Sequence, residues 1–124
     1  MRSHHVERDG DVVAVRVLIV DDHGPFRLWA GKVLRAGGMD VVGEAETGAG
    51  AVELAVELRP DVVLLDVRLP DLDGFAVCRR LDEAGIAVVL CSSRDYGERA
   101  AGTPALGFLP KERLSAGELR RLLG

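Results

Sequence analysis

Asp21 and Asp22 follow directly on the apolar run Val17-Leu18-Ile19-Val20, and Asp66 follows Val62-Val63-Leu64-Leu65. Cys91-Ser92-Ser93 follows Ile86-Ala87-Val88-Val89-Leu90, and Lys111 stands just past Leu109-Pro110. An acidic residue after a strand is commonly a helix cap or a solvated loop group, and Asp22 alone would carry no further meaning. Convergence changes that. Two carboxylates about 5 Å apart repel by about 3 kcal/mol at an effective dielectric of about 20, equivalent to about two pKa units. A divalent cation removes the repulsion, and an all-oxygen donor set suits Mg²⁺, with Mn²⁺ as the alternative, better than zinc. Such an ion takes a phosphate among its remaining ligands. A carboxylate can then attack phosphorus while Lys111 and Ser92 supply charge and a hydrogen bond to the transferring oxygens, leaving an aspartyl phosphate.

These side chains meet only if the runs that carry them are neighbouring strands. The three runs are continuously apolar and rich in β-branched residues, as strands buried on both faces are. Met39 to Ala45 and Leu106 to Leu109 can supply two more. Between them the period changes. Phe26, Trp29, Ala30, Val33 and Leu34 recur at helical spacing before Gly37-Gly38, predicting an amphipathic helix closed by glycine. A second helix is predicted from about Ala49 to Leu58, ended by Pro60, and a third from Gly74 to before Gly85, carrying Phe75, Cys78 and Leu81. Arg94 to Gly107 holds Gly97, Gly102 and Pro104 and predicts only a short or irregular helix. Ser115-x-x-Glu118 reads as a capping box opening a last helix with Leu119, Leu122 and Leu123. Alternating strands and helices imply an α/β fold with a mainly parallel sheet covered on both faces, and its crevice lies beyond the carboxyl ends of the strands.

Composition excludes several other classes. At 124 residues with 48% hydrophobic side chains, the chain fits one folded unit and is too apolar to be intrinsically disordered. Its net charge of −4 gives no positive field for a nucleic-acid backbone. No apolar stretch approaches the ~20 residues of a membrane span, and Met1 to Asp11 lacks the apolar core of a secretory signal, so a cytoplasmic location is expected. Cys78 and Cys91 form no CxxC pair and read as small buried hydrophobes. His4-His5, although a pair of metal-capable imidazoles, reads as a solvated terminus.

The motifs together resemble those of CheY-like receiver domains of two-component response regulators, from about Val15 to Leu123. Val-Leu-Ile-Val-Asp-Asp-His at 17–23 is similar to the family's acidic-pair strand. Val-Leu-Leu-Asp-Val-Arg-Leu-Pro-Asp-Leu-Asp-Gly at 63–74 is similar to its phosphoacceptor strand and loop, and Gly-Phe-Leu-Pro-Lys at 107–111 to its lysine strand. The resemblance implies a flavodoxin-like (βα)5 fold with a five-stranded parallel sheet in the order 2-1-3-4-5. It implies a receiver over residues 15–124 with 1–14 as a flexible extension. It further implies that Asp66 accepts a phosphoryl group, that Asp22 and, through water, Asp21 hold Mg²⁺ with Asp66, and that the Arg68 backbone carbonyl is another metal ligand. Ser92 would be the switch hydroxyl, with Ser93 as the alternative, Lys111 its charge partner and Phe108 the aromatic whose rotamer follows; an aromatic beside Leu106 and Leu109 is otherwise ordinary core.

The partner implied is a sensor histidine kinase or a phosphotransfer protein, with an output partner or a homodimer on the signalling side. The chain departs from the family pattern at Glu112, where many members have proline, and in its short, Gly- and Pro-punctuated stretch before Gly107, so both loops are expected to differ in shape. No effector segment follows Leu123, which fits either a stand-alone receiver or a piece of a longer regulator. Phe26, Arg27 and Gly24-Pro25 are candidate kinase contacts, with Arg27 otherwise a solvated helix-face charge. Two other readings compete. An Mg²⁺-dependent phosphatase with an Asp nucleophile commonly has a second acid two residues on, where this chain has Arg68. A receiver-like interaction module that signals without phosphorylation would have no need of the five site residues.

Overall fold

In the computed structural model, residues 6–8 and 11–124 are described. Two short strands, β1 (Val6–Arg8) and β2 (Asp11–Val13), pair antiparallel. The main sheet is built from β3 (Arg16–Val20), β4 (Asp40–Ala45), β5 (Val62–Asp66), β6 (Val88–Ser92) and β7 (Gly107–Pro110), all parallel, in the order β4-β3-β5-β6-β7. Counting these five alone, the order is 2-1-3-4-5, the doubly wound flavodoxin-like arrangement. Between them run α1 (Gly24–Ala36), α2 (Gly48–Leu58), α3 (Gly74–Glu83), the single turn α4 (Gly97–Ala100) and, last, α5 (Ala116–Leu123). The His4-His5 pair lies outside the described residues. Among the described residues no helix is long and apolar enough to cross a membrane.

The period of two along each strand divides the core into two layers. Val17, Ile19, Val62, Leu64, Val89 and Cys91 pack under α1 and α5 with Ala30, Leu34, Leu119 and Leu123. Leu18, Val20, Val63, Leu65, Val88 and Leu90 pack under α2 and α3 with Ala51, Ala55, Phe75, Cys78 and Leu81. Both faces are therefore apolar, which is why the runs showed no alternation. Burial pushes the Cys91 thiol up to about 12 and raises that of Cys78. Neither thiol should react with Ellman's reagent at pH 8 in the native protein, whereas both should in denaturant; prompt labelling of Cys91 without denaturant would contradict this packing.

Local chemistry sets the helix ends. Thr47 Oγ1 accepts from Gly50 N–H at 3.0 Å to start α2 one residue before the predicted position. The helix stops at Arg59, which precedes Pro60 and adopts a left-handed conformation at φ 49°. The residue is tied at its backbone and at its side chain: Arg59 O accepts from Arg16 Nη1 at 2.8 Å and Arg59 Nη1 donates to Ala84 O at 2.9 Å. Half of the predicted capping box forms, with Ser115 Oγ accepting from Glu118 N–H at 3.0 Å. The Glu118 carboxylate instead pairs with Arg121 at 2.9 Å. After β7 the chain makes one 3-10 turn, Lys111–Arg113, which sets the lysine at the sheet's edge.

The first helix corrects the sequence reading. The buried positions of α1 are Ala30, Gly31 and Leu34, with Phe26, Arg27 and Val33 half-buried beside them, so of the predicted stripe only Trp29 falls outside. Trp29 is 45% exposed and Arg27 faces inward, with 19% of its side chain exposed. Arg27 and Gly31, a charged residue and a glycine, are inward positions that an apolar pattern does not mark.

Candidate functional site

The same period of two that splits the core aims the functional side chains. Asp21 continues the parity of Val17 and Ile19, and Asp66 that of Val62 and Leu64, so both carboxylates emerge on the α1/α5 side at the carboxyl ends of adjacent strands. Both are buried, at 1% and 6% exposure, whereas Asp22 lies exposed at the mouth. One carboxylate oxygen from each of Asp21, Asp22 and Asp66 lies within 4.8 Å of the others. Lys111 Nζ is 2.7 Å from Asp21 Oδ2 and 4.0 Å from Asp66 Oδ2. Asp21 Oδ1 accepts from His23 N–H at 2.8 Å, but Oδ2 is buried without a hydrogen bond, so its contact with the ammonium is an ion pair without hydrogen-bond alignment.

The electrostatics follow from that crowding. Desolvation by burial, then the charge of Asp21, push the Asp66 carboxyl from its ordinary 3.8 up to about 6, with Lys111 and the Arg68 backbone amide holding it partly down and Asp22 adding to the rise. Burial alone would depress Lys111, yet its contact with Asp21 and the charge of Asp66 leave it raised and protonated. Three carboxylates thus share one ammonium, which leaves a surplus of negative charge. These are donors for a hard divalent cation: Asp21, Asp22 and Asp66 fit Mg²⁺ or Mn²⁺.

The model of the response regulator receiver domain family matches residues 17–123. The chain belongs to this family. The response regulator GacA of Pseudomonas viridiflava is 36% identical over 103 residues, covering 78% of this chain and 48% of that protein. The transcriptional regulatory protein PdtaR of Mycobacterium tuberculosis is 38% identical over 100 residues, covering 77% and 49%. The chain thus spans about half the length of these curated relatives. Among solved structures, the signal receiver domain of a putative response regulator NarL from Mycobacterium tuberculosis superposes with a TM-score of 0.79 at 36% identity, over 90% of this chain and 98% of that one. The receiver is a signalling switch of two-component systems, not a conventional enzyme.

The remaining candidate residues of the receiver fall on two sides of the pocket. Ser92 ends β6 buried, with Oγ accepting from Arg94 N–H at 3.1 Å, whereas Ser93 is exposed. Ser92 and Phe108 continue the parity of Val88 and Leu90, which sets them on the α3/α4 side; Phe108 pairs in register with Leu90 and is half-buried against that core layer. Arg68, two residues beyond Asp66, has an exposed side chain, and its backbone pairs with that of Asp73 across the loop in an isolated antiparallel bridge.

The loop that follows Asp66 is fixed by contacts that sequence patterning did not single out. Gly74 N–H donates to Val67 O at 2.9 Å, and a Cβ on Gly74 would lie 2.5 Å from Asp66 O and 2.6 Å from Val67 O. Only glycine admits that approach. Asp73 caps α3 by accepting from Phe75 N–H at 2.8 Å. The Asp71 carboxylate reaches across to α2, accepting from Gly48 N–H at 2.7 Å and Ala49 N–H at 3.0 Å, and these amides hold it below its ordinary pKa. Asp71 and Asp73, two acids in one loop, had offered no sign of which was the cap and which the tether.

Arg27 corrects an expectation. It is no solvated helix-face charge: Nη1 donates to Asp21 O at 2.5 Å and Nε to Glu44 Oε1 at 3.1 Å, tying α1 to the ends of β3 and β4. Phe26, expected as a kinase contact, is half-buried with its ring centroid 4.5 Å from Lys111 Nζ.

Proposed function

We propose that this receiver is an Mg²⁺-dependent switch phosphorylated on Asp66 by a sensor histidine kinase or a phosphotransfer protein. The observation that carries the proposal is the convergence of three carboxylates with one ammonium at the carboxyl end of the sheet. Of the three, Asp66 is buried yet reachable, lies beside both the other acids and Lys111, and leads into the tightly held loop to Gly74. Asp22 and Asp66 would hold the ion, with Asp21 acting through water and the Arg68 carbonyl adding a ligand. Mg²⁺ supplies charge neutralisation, which lets an anionic carboxylate approach an anionic phosphoryl donor.

Lys111 rests on Asp21 and is near enough to Asp66 to pair with a phosphoryl oxygen there. Ser92, buried at the end of β6, is the hydroxyl that would turn to the same group, and Phe108 on its side of the sheet the ring that would respond. We assign the switch to residues 15–124, with 1–14 as an extension, and its readout to an output partner or a second copy of the chain rather than to nucleic acid contacted by this unit. Peptide mapping after borohydride reduction of the phosphorylated protein should find homoserine at position 66; reduction at Asp21 or Asp22 instead would overturn the assignment.

The two serines are separable. Ser92→Ala should weaken beryllofluoride binding about tenfold, through loss of one hydrogen bond to a charged group, while Ser93→Ala should leave it within about twofold. Titration calorimetry with Mg²⁺ present decides it, and the reverse ranking would move the switch hydroxyl to Ser93.

A further inference from the structure

We infer that Phe26 is a positioning residue, whose ring holds the Lys111 ammonium over the carboxylate pocket. The inference rests on the reading of that pocket as a phosphoryl site. Lys111 enters from a single 3-10 turn at the edge of the sheet, and its four-carbon stem leaves Nζ free to reach solvent. Two carboxylates attract it from the sheet, at 2.7 Å for Asp21 Oδ2 and 4.0 Å for Asp66 Oδ2. The Phe26 ring, with its centroid 4.5 Å from Nζ, supplies a third attraction from α1.

That ring is well placed to do so. It sits in the first turn of α1, directly after Pro25 in the helix start, and it packs against the core layer under α1 and α5. The ring's negative face attracts the ammonium without taking a further carboxylate into a site already overfull of them, and it occupies none of the oxygens that a cation or a phosphoryl group needs. An acid in its place would add to the surplus charge. An aliphatic residue of similar size would fill the space and leave the ammonium to the pull of solvent.

The chain contains two lysines, Lys32 and Lys111, and Lys32 is exposed. Trace labelling of the full, metal-free chain with acetic anhydride, followed by peptide mass mapping, therefore carries its own internal standard. In the native protein Lys111 should label well below Lys32. In Phe26→Leu the Lys111-to-Lys32 ratio should rise about threefold to tenfold, the range of a partly desolvated cation–π contact. Phe26→Tyr, which keeps the ring, should stay near the native ratio. Phe26→Met fills the volume without the ring, so release there as well supports the inference even if leucine loosens the helix. A ratio unchanged in both the leucine and methionine variants overturns it.

The functional half is read separately, from beryllofluoride affinity with Mg²⁺ present. It should weaken about threefold to tenfold in Phe26→Leu and Phe26→Met and recover in Phe26→Tyr. Equal affinity in all four proteins overturns the positioning role. If the native chain binds no beryllofluoride at all, the phosphoryl reading of the pocket fails, while the labelling ratio still decides whether Phe26 holds the ammonium.

Discussion

Replacing Gly74 by alanine is expected to cost about 3 kcal/mol of stability and to disable the acidic pocket together with it. The added Cβ would lie 2.5 Å from Asp66 O, 2.6 Å from Val67 O and 2.7 Å from Val67 Cα. All three are backbone atoms, so no side chain can rotate away to make room. Relief requires moving either the amino end of α3 or the carboxyl end of β5, and the latter carries the Asp66 carboxylate. The Gly74 N–H to Val67 O hydrogen bond, 2.9 Å in the native protein, would be stretched by either movement. Thermal melting should show a fall of about 10 °C for a domain of this size. Mg²⁺ affinity should fall in the same variant. A melting temperature within about 2 °C of native would mean that the loop has slack that the close packing denies.

Asp66→Asn is expected to act in the opposite direction, raising the stability of the metal-free protein at neutral pH. Burial and the neighbouring Asp21 lift the Asp66 carboxyl to about 6 in the folded protein, against 3.8 ordinarily. The folded chain therefore holds that proton more tightly than the unfolded chain does. Below about pH 3 both states are protonated and the carboxyl carries no penalty. Between about pH 4 and pH 6 the unfolded chain loses its proton first, so stability falls as pH rises, and above about pH 6 the full penalty is present. An elevation of about two pKa units corresponds to about 3 kcal/mol, and solvent reaching the pocket past exposed Asp22 reduces that to about 1–2 kcal/mol. The gain from asparagine should thus be near zero at pH 3 and reach several degrees of melting temperature at pH 7.5 without divalent cations. Saturating Mg²⁺ should narrow the difference by stabilising the native chain alone. An asparagine variant less stable than native at pH 7.5 in chelator would contradict the surplus of negative charge.

How much of this was legible in the sequence depended on which physical signal carried each element. The three central strands announced themselves because both their faces are buried, so Val17 to Val20 and Val62 to Leu65 had to be apolar throughout. The site was legible for the same reason: polar residues stand out where such a run ends, as Asp21, Asp66 and Ser92 do. The strand order came from the family's pattern and not from periodicity, since continuous apolar runs specify burial without specifying neighbours. In α1 Trp29 was misplaced and Arg27 and Gly31 were missed, because those two occupy inward positions for reasons that hydropathy does not record. Arg27 is there to bond Asp21 O, and Gly31 lies on the same buried stripe. The tether from Asp71 to the start of α2 and the approach of Gly74 to Val67 are tertiary contacts, visible only once two distant segments are side by side. The Phe26 ring read as part of an amphipathic stripe because nothing local links it to a lysine 85 positions away.

The account turns on Asp66 as a phosphoacceptor in an Mg²⁺-loaded acidic pocket. Intact mass after incubation with acetyl phosphate, run on the native chain and on Asp66→Asn, with Mg²⁺ and with chelator, tests that claim most directly. The predicted result is one added phosphoryl group on the native chain in Mg²⁺, lost in chelator and absent from the asparagine variant. An adduct that persists in Asp66→Asn would contradict the assignment of the acceptor. No adduct under any condition, together with no binding of beryllofluoride to the native chain in Mg²⁺, would contradict the switch itself and favour a receiver that works through its surface alone.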